Sequence, residues 1–175
     1  ALKTDAKGKT WAAVYKNGLY YLRGNKWYKK ALSKQDDQLI ISNFLVDTFV
    51  KDRIWILTNS GFFLSENAEI KPAFANKIKK ITAINQDEKG NLWLGTNSGA
   101  WFMSKDKSIH FNAKNGFTDN VVNRIFRDKE NNIWLGTDGS GIFKFSSNNY
   151  VSYDESQGLK SNVVMSIING PSPNE

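Results

Sequence analysis

The sequence contains no cysteine and only one histidine, His110. The absence of cysteine excludes disulfides and thiolate metal sites, and a single histidine argues against a metal centre built from histidines. We therefore predict no metal site and no cofactor. No apolar run approaches the roughly eighteen residues of a membrane-spanning helix, and the first residues lack the pattern of a signal peptide. We expect a soluble piece that is connected to a membrane only through segments outside it.

The sequence also lacks helical patterning. Proline occurs three times, and no long stretch repeats apolar residues every three and four positions. Turn-forming residues instead arrive about every eight to twelve positions. Because 40% of the residues are apolar and 13% are aromatic, the chain can form a hydrophobic core. We expect an all-β fold with almost no helix.

Acidic residues are outnumbered, and the net charge is +7 with a pI of about 9.5. Such a balance permits attraction to nucleic acids, anionic glycans or acidic lipids. The lysines are scattered, however, with small clusters only at residues 26–30 and 77–80. This distribution is typical of a solvated surface, so we expect no nucleic-acid partner.

Four tryptophans divide the chain into near-equal units. They lie 44, 38 and 41 residues apart and are Trp11, Trp55, Trp93 and Trp134. A turn ending in glycine follows each tryptophan, and a largely apolar run follows the glycine, as in LYYL, FFLS, AWFM and IFKF. Self-similarity at a period of about forty residues indicates one supersecondary unit per repeat.

Three of the four units have an aspartate six residues before the tryptophan: Asp5, Asp87 and Asp128. An aspartate that opens a tight turn accepts hydrogen bonds from nearby backbone amides. The fourth turn position favours positive φ, which suits glycine, or asparagine at Asn131. The second unit reads FVKDRIW, and we expect it to keep the strands and shorten the loop to a tight turn at Lys51 and Asp52.

Each unit contains four strand-like runs, of which the last is weak, as in KWYK, SIHF or YVSY. A four-stranded antiparallel meander that repeats about every forty residues is the signature of a β-propeller blade, whereas a β-solenoid usually repeats at a shorter period. We predict an all-β propeller segment with four blades, at residues 1–38 (with a truncated inner strand), 39–78, 79–119 and 120–160.

Residues 161–175 begin with SNVVMSII, which reads as one more inner strand, and end in a frayed segment. Either this strand completes the truncated first blade and closes a small ring, or the chain is part of a larger ring. We favour the larger ring, because NGPSPNE does not read as a turn into another tryptophan strand. Gly95 and Gly136, each two residues after a tryptophan, are expected to let a neighbouring blade approach closely.

The segments from Asp87 to Gly99 and from Asp128 to Gly141 carry a family resemblance. They read DEKGNLWLGTNSG and DKENNIWLGTDGSG, and each is followed by an aromatic strand and a G-[FL]-x-x-N segment. They resemble the two-component regulator propeller repeat, strongly in the third and fourth units and loosely in the first two. The resemblance implies rings of the seven-bladed type.

The resemblance further implies the periplasmic sensor region of a hybrid two-component histidine kinase from a Gram-negative bacterium. Many such sensors respond to oligosaccharides. We therefore expect an oligosaccharide ligand and a homodimer formed through propeller faces, with any kinase activity in other domains. The alternative is a non-signalling cell-surface or secretion-associated scaffold that binds glycans or proteins.

Catalytic patterns are scarce in the sequence, and we expect no enzyme. His110 lies on an outer strand, and no serine lies in a nucleophile elbow. Asp87 and Asp128 do not continue into a calcium loop, so they are interpreted as turn caps. A propeller hydrolase or lyase would need a cluster of acids and histidines that the sequence does not show.

Candidate ligand-binding residues lie in the turns after the tryptophan strands and before the inner strands, because loops on a rigid scaffold carry function. They are Asn97, Ser98, Asp138, Ser140, Asn120 and Asn162. Turn chemistry selects the same residue types. Trp27 and Tyr28, which are flanked by lysines and have no counterpart in the other units, form a second candidate. The four repeated tryptophans, with Gly95, Gly136, Asp87 and Asp128, are interpreted as structural.

Overall fold

The structure, a computed structural model, describes residues 1–5, 7–32, 40–67, 69–74, 78–118, 120–146, 149–168 and 170. Regular structure in these ranges consists of sixteen strands and two short 3-10 helices. The strands form four sheets of four, in which chain neighbours pair antiparallel. This is the β-propeller blade that the repeat predicts. No helix in the same ranges is long and apolar enough to cross a membrane.

Residues 1–79 form one compact unit, here called unit 1, which contains blades 1 and 2. Blade 1 has the strands β1 (Leu2–Thr4), β2 (Thr10–Val14), β3 (Gly18–Arg23) and β4 (Lys26–Lys30). Blade 2 has the strands β5 (Ile41–Val46), β6 (Ile54–Thr58), β7 (Gly61–Glu66) and β8 (Glu69–Pro72). The second strand of each blade carries the repeated tryptophan.

Residues 80–175 form unit 2, which contains blades 3 and 4. Blade 3 has the strands β9 (Ile81–Gln86), β10 (Leu92–Thr96), β11 (Gly99–Met103) and β12 (Ser108–Phe111). Blade 4 has the strands β13 (Val122–Arg127), β14 (Ile133–Thr137), β15 (Ile142–Ser146) and β16 (Asn149–Tyr153). The 3-10 helices Ala113–Asn115 and Glu155–Gln157 follow the last strand of each of these blades.

The tryptophan strands of blades 2 and 3 are covered on both faces. Every residue of β6 and of β10 is buried, which explains why neither strand alternates between apolar and polar residues. The core of unit 1 includes Leu19, Phe44 and Ile56. The core of unit 2 includes Leu135 and a large aromatic cluster described below.

Two glycines allow close contacts within unit 2. A Cβ added at Gly95 would lie 2.8 Å from the backbone oxygen of Val122, on the inner strand of blade 4. A Cβ added at Gly136 would lie 2.7 Å from a side-chain carbon of Val164. Residues around Val164 therefore lie against blade 4 as β13 lies against blade 3, and the Val164 amide donates a hydrogen bond to Thr137 O at 2.8 Å.

Candidate functional site

An aspartate carboxylate closes the turn before the tryptophan strand. In blade 1, Asp5 Oδ1 accepts hydrogen bonds from the backbone amides of Lys7 and Lys9 at 2.9 and 3.0 Å. Asp5 Oδ2 accepts a third from the indole Nε1 of Trp11 at 2.8 Å. In blade 4, Asp128 Oδ2 accepts a hydrogen bond from Trp134 Nε1 at 2.7 Å. The carboxylate thus joins the turn to the strand that follows it.

These hydrogen bonds lower the pKa of both carboxyls. Burial raises the pKa of Asp5, but the hydrogen bonds from Trp11 and the backbone amides, together with the charge of Lys9, more than offset it. The pKa of Asp128 is also lowered, because hydrogen bonds from Trp134 and Asn132 outweigh the effect of burial. Both groups are therefore carboxylates at neutral pH.

Blade 2 has the predicted turn at Lys51 and Asp52, across which the Arg53 amide donates to the Val50 carbonyl at 3.4 Å. The expectation of a shortened loop is wrong, because the turn lies in a longer loop that keeps the Asp–Trp anchor. Asp47, not an aspartate six residues before the tryptophan, accepts the hydrogen bond from Trp55 Nε1, at 3.0 Å. The Asp47 amide donates to the Arg53 carbonyl at 2.9 Å and closes the loop 47–53. This loop is longer than its counterpart 87–91 in blade 3. The extra residues do not disturb the hydrogen bond between the aspartate and the tryptophan.

A cleft of about 380 Å³ lies between the turn before Trp11 and the loop 47–53, inside unit 1. Its cations are Lys7, Lys9, Lys30, Lys51 and Arg53. Its acids are Asp5, Asp47 and Asp52. Trp11 and Tyr21 contribute aromatic rings to its wall. The volume is within the range of pockets that bind small molecules.

The aromatic wall holds a lysine in place. Tyr21 packs between Trp11 and Tyr28, with ring-centre distances of 5.4 and 5.8 Å. Lys9 Nζ lies 4.4 Å from the ring centre of Tyr21 and 5.5 Å from that of Trp11. Because aromatic ring faces attract cations, these contacts restrict the position of the ammonium group.

The six ligand-binding residues that were predicted in turns lie at the other end of their blades. In an antiparallel meander, the turn before a strand and the turn after it are at opposite ends of that strand. The cleft is formed by turns before tryptophan strands, whereas the predicted residues lie in turns after such strands or in the segments paired with them. Sequence reasoning and the cleft therefore point to different ends of a blade.

Several of the predicted residues form hydrogen bonds with one another or with the backbone of the same turn. Asn120 Nδ2 donates to Ser140 Oγ at 2.6 Å, and Ser140 Oγ lies 2.9 Å from Thr118 Oγ1. The Asn162 carbonyl accepts hydrogen bonds from the amides of Gly139 and Gly141 at 3.0 and 2.8 Å. These contacts fix the turn between β14 and β15 and use polar groups that a ligand would otherwise contact.

Asp138, Asn97 and Ser98 have exposed side chains at turns after tryptophan strands. The Asp138 amide is used by the fold, since it donates to the Val121 carbonyl at 2.8 Å. The Ser98 carbonyl lies 2.8 Å from His110 Nε2.

His110 is engaged at both ring nitrogens. Its Nε2 contacts Ser98, and its Nδ1 lies 3.1 Å from the side-chain nitrogen of Asn112. The imidazole also stacks on Trp101, with ring centres 4.4 Å apart. These contacts give the histidine a packing role on the outer strands of blade 3.

Trp27 and Tyr28 do not form one platform. They are adjacent in β4, and successive side chains of a strand point to opposite faces. Tyr28 extends the stack of Trp11 and Tyr21, whereas Trp27 pairs with Leu22 and is 47% exposed.

The cationic residues of the cleft were not predicted as ligand-binding residues. A signal for them exists in the position two residues before each tryptophan. It is basic in unit 1, at Lys9 and Arg53, and asparagine in unit 2, at Asn91 and Asn132. In unit 2 the asparagine side chains donate to the turn aspartates at 2.9 and 2.8 Å. The basic residues of unit 1 instead lie over aromatic rings.

Two segments match a known repeat family. Residues 78–98 and 116–139 match the family described as two component regulator propeller, and these segments contain the tryptophan turns of blades 3 and 4. These two segments, in blades 3 and 4, are similar to the two component regulator propeller repeat. No curated protein matches the chain.

Several solved structures are similar to this chain in fold. The extracellular domain of a hybrid two component system from B. thetaiotaomicron is 24% identical with a TM-score of 0.70, over 91% of this chain and 23% of that one. PorZ, a surface component of the type-IX secretion system of Porphyromonas gingivalis, is 16% identical with a TM-score of 0.62, over 95% and 28%. This chain thus spans about a quarter of the length of these two proteins.

An enzyme is also similar to this chain in fold. Virginiamycin B lyase from Staphylococcus aureus is 15% identical with a TM-score of 0.62, over 87% of this chain and 54% of that one. Identity at this level shows the fold alone. Among the described residues, no group of three or more His, Cys, Asp and Glu side chains is arranged to hold a metal ion.

Proposed function

We propose that this chain is the ligand-sensing segment of an extracytoplasmic, periplasmic sensor of the hybrid two-component type, and that it responds to an oligosaccharide. The match of two segments to the two component regulator propeller carries the proposal. The likeness to an extracellular domain of a hybrid two component system agrees with it.

The ligand binds in the cleft of unit 1. Loops on a rigid scaffold are the usual carriers of binding function, and two such loops meet here. At the turns after the tryptophan strands, by contrast, Asn120 and Ser140 already bond to each other. We therefore place the ligand at the cleft, not at the turns that the sequence pattern favours.

Binding would be transmitted by population shift. A ligand that contacts both the turn 5–9 and the loop 47–53 stabilises the arrangement of blades 1 and 2 that fits it. In a homodimer, such a preference changes the relative placement of the two subunits and of kinase domains joined to them. The dimer is part of the proposal.

Titration calorimetry with a panel of neutral and acidic oligosaccharides tests the binding step. We expect at least one saccharide to bind the chain and Lys9→Ala to weaken that binding. The matched control is Asn97→Ala, because Asn97 is exposed in a turn after a tryptophan strand. Equal loss in both variants, or loss only in Asn97→Ala, would contradict a site in the cleft.

A reporter assay in the source organism tests the signalling step. The full-length protein with Lys9→Ala should lose its transcriptional response to the saccharide, and Asn97→Ala should keep it. A response that is unchanged by Lys9→Ala would contradict sensing through this cleft.

The second candidate is a secretion-associated or cell-surface scaffold, which the likeness to PorZ favours. It differs from the sensor in having no kinase joined to it. Reading the gene downstream of this segment separates the two: a membrane helix followed by a histidine kinase supports the sensor.

We propose binding without catalysis, despite the likeness to a lyase. The single histidine contacts Ser98 and Asn112 and does not line the cleft, so it is not placed to transfer a proton to a ligand bound there. Turnover of a bound saccharide, seen by chromatography after prolonged incubation, would overturn this part of the proposal.

A further inference from the structure

The carboxylates of the cleft are used by the fold. Asp5 accepts three hydrogen bonds, from two backbone amides and Trp11. Asp47 likewise accepts from the amides of Phe49 and Val50, both at 2.9 Å, and from the Trp55 indole. Donors this close partly compensate the negative charge of each carboxylate and leave it less able to bind further groups.

The cations of the cleft divide into paired and unpaired groups. Arg53 donates to Glu66 at 3.0 Å, and Lys30 Nζ lies 3.6 Å from Asp52. Lys7, Lys9 and Lys51 form no ion pair within the part of the chain that the structure describes. All three are exposed at the rim of the cleft.

The unpaired lysines come from two separate turns. Lys7 and Lys9 belong to the turn before β2, and Lys51 belongs to the loop before β6. Like charges on facing loops repel each other, and an anion between them removes that repulsion. Lys9 is moreover held over Tyr21 and Trp11, so part of its ordering cost is already met before a ligand binds.

Unit 2 has only one basic residue at the positions of Lys7 and Lys9. Lys9 corresponds to Asn91 and Asn132, which donate to their turn aspartates. Lys7 corresponds to Lys89 and Glu130. The positive cluster therefore is not a requirement of the turn itself, since two turns of the same chain form without it.

We infer that the cleft binds an acidic saccharide through a carboxylate or sulfate group placed among Lys7, Lys9 and Lys51. This inference rests on the proposed oligosaccharide-sensing function and names the class of saccharide. Carboxylate and sulfate share the negative charge and the acceptor oxygens that ammonium groups recognise. The anionic group contacts the lysines.

Matched saccharides test the charge requirement. The probes are trigalacturonate, the neutral trisaccharide obtained from it by carboxyl reduction, and a sulfated derivative of the neutral trisaccharide. Calorimetry at low and high salt should show binding of trigalacturonate or of the sulfated sugar, at least tenfold weaker binding of the neutral sugar, and weaker binding at high salt. The two charged probes distinguish a carboxylate site from a sulfate site.

Matched variants test the location. Lys7→Gln and Lys51→Gln should each weaken binding of the charged sugar up to about fivefold, as expected for loss of one exposed ion pair. The control is Lys89→Gln, the counterpart of Lys7 in blade 3, and it should leave binding unchanged. Lys7→Arg should retain binding, because it keeps the charge. Unchanged thermal unfolding shows that each variant is folded.

The outcomes separate this inference from the function on which it rests. Equal affinity for charged and neutral sugars would overturn the inference and leave oligosaccharide sensing in place. Binding of charged sugars that Lys89→Gln weakens as much as Lys7→Gln would overturn the location. Failure of every saccharide, charged and neutral, to bind would overturn both the inference and the proposed function.

Discussion

Blades 3 and 4 share a tryptophan motif, with seven of sixteen residues identical between 87–102 and 128–143, yet they use their tryptophans differently. Trp134 is half-buried, donates its indole N–H to Asp128 and lies under the Lys144 ammonium at 4.9 Å. Trp93 is buried, and its Nε1 has no acceptor among the described residues. The same motif thus gives two different environments.

The cause lies outside the shared polar turn. The residue opposite Trp93 in the sheet is Phe102, whereas the residue opposite Trp134 is Lys144. Phe102 and Phe145 pack on Trp93 with ring-centre distances of 5.2 and 4.8 Å. Aromatic contacts of this kind favour burial of the indole, at the cost of one unmade hydrogen bond.

Truncation of the two tryptophans should give the largest difference in stability between a blade 3 variant and its blade 4 counterpart. Trp93→Ala removes a buried ring from the aromatic cluster and should lower the free energy of unfolding by about 3–5 kcal/mol. Trp134→Ala should cost clearly less, because this residue is only partly buried. Urea unfolding followed by circular dichroism measures both, and equal losses would show that the two environments do not differ in energy.

Substitution of the two glycines that follow these tryptophans provides a second comparison between blades 3 and 4. In Gly95→Ala, the new Cβ meets the backbone oxygen of Val122, which the sheet holds in place, and we expect a loss of about 1–3 kcal/mol. In Gly136→Ala, the nearest atoms are side-chain carbons of Val164, which lies outside the strands and is held less firmly than β13. The loss should therefore be smaller. The reverse order in urea unfolding would mean that backbone contact does not decide the cost.

Removal of the turn carboxylates should have a moderate effect. Asp128→Ala removes the acceptor for Trp134, Asn132 and two backbone amides, and should cost about 1–3 kcal/mol. Asp87→Ala leaves Trp93 unaffected and should cost about 1 kcal/mol less. Thermal unfolding compares the variants, and a larger loss for Asp87→Ala would break the proposed distinction.

The pH dependence of stability should give the smallest effect. The pKa of Asp128 is lowered in the folded chain, so its contribution is present above the ordinary value of 3.8 and is lost as the pH falls through the lower, folded value. In Asp128→Asn this part of the acid destabilisation should disappear. Unfolding curves recorded between neutral pH and acid pH measure it, and an unchanged pH profile would contradict the assignment.

Much of the fold could be predicted from the sequence, because each blade repeats its own local chemistry. The spacing of the tryptophans and the Asp and Gly turn residues predicts four antiparallel meanders, and the structure has four. The length of the blade 2 loop could not be predicted from an aspartate six residues before the tryptophan. Asp47 lies eight residues before Trp55 and makes the same hydrogen bond.

The cleft could not be predicted in the same way. It depends on two turns that are about forty residues apart in sequence and adjacent within unit 1. Periodicity describes what the four repeats share, whereas Lys9 and Arg53 stand at a position that is asparagine in the other two repeats. Alignment of the four repeats on their tryptophans shows where the repeats differ, and such a difference is the sequence signal that favours these residues.

The Asp47–Trp55 hydrogen bond shows that the loop before a tryptophan strand can change in length while the pairing of the two strands stays the same. In every blade, the aspartate stands two residues after the residue that pairs with the tryptophan: Lys3, Leu45, Asn85 or Phe126. Blade 2 therefore gains loop residues without any shift of β5 against β6. The turn before the tryptophan strand is thus an insertion point, where evolution or an engineer gains new recognition residues while the blade beneath keeps its pairing.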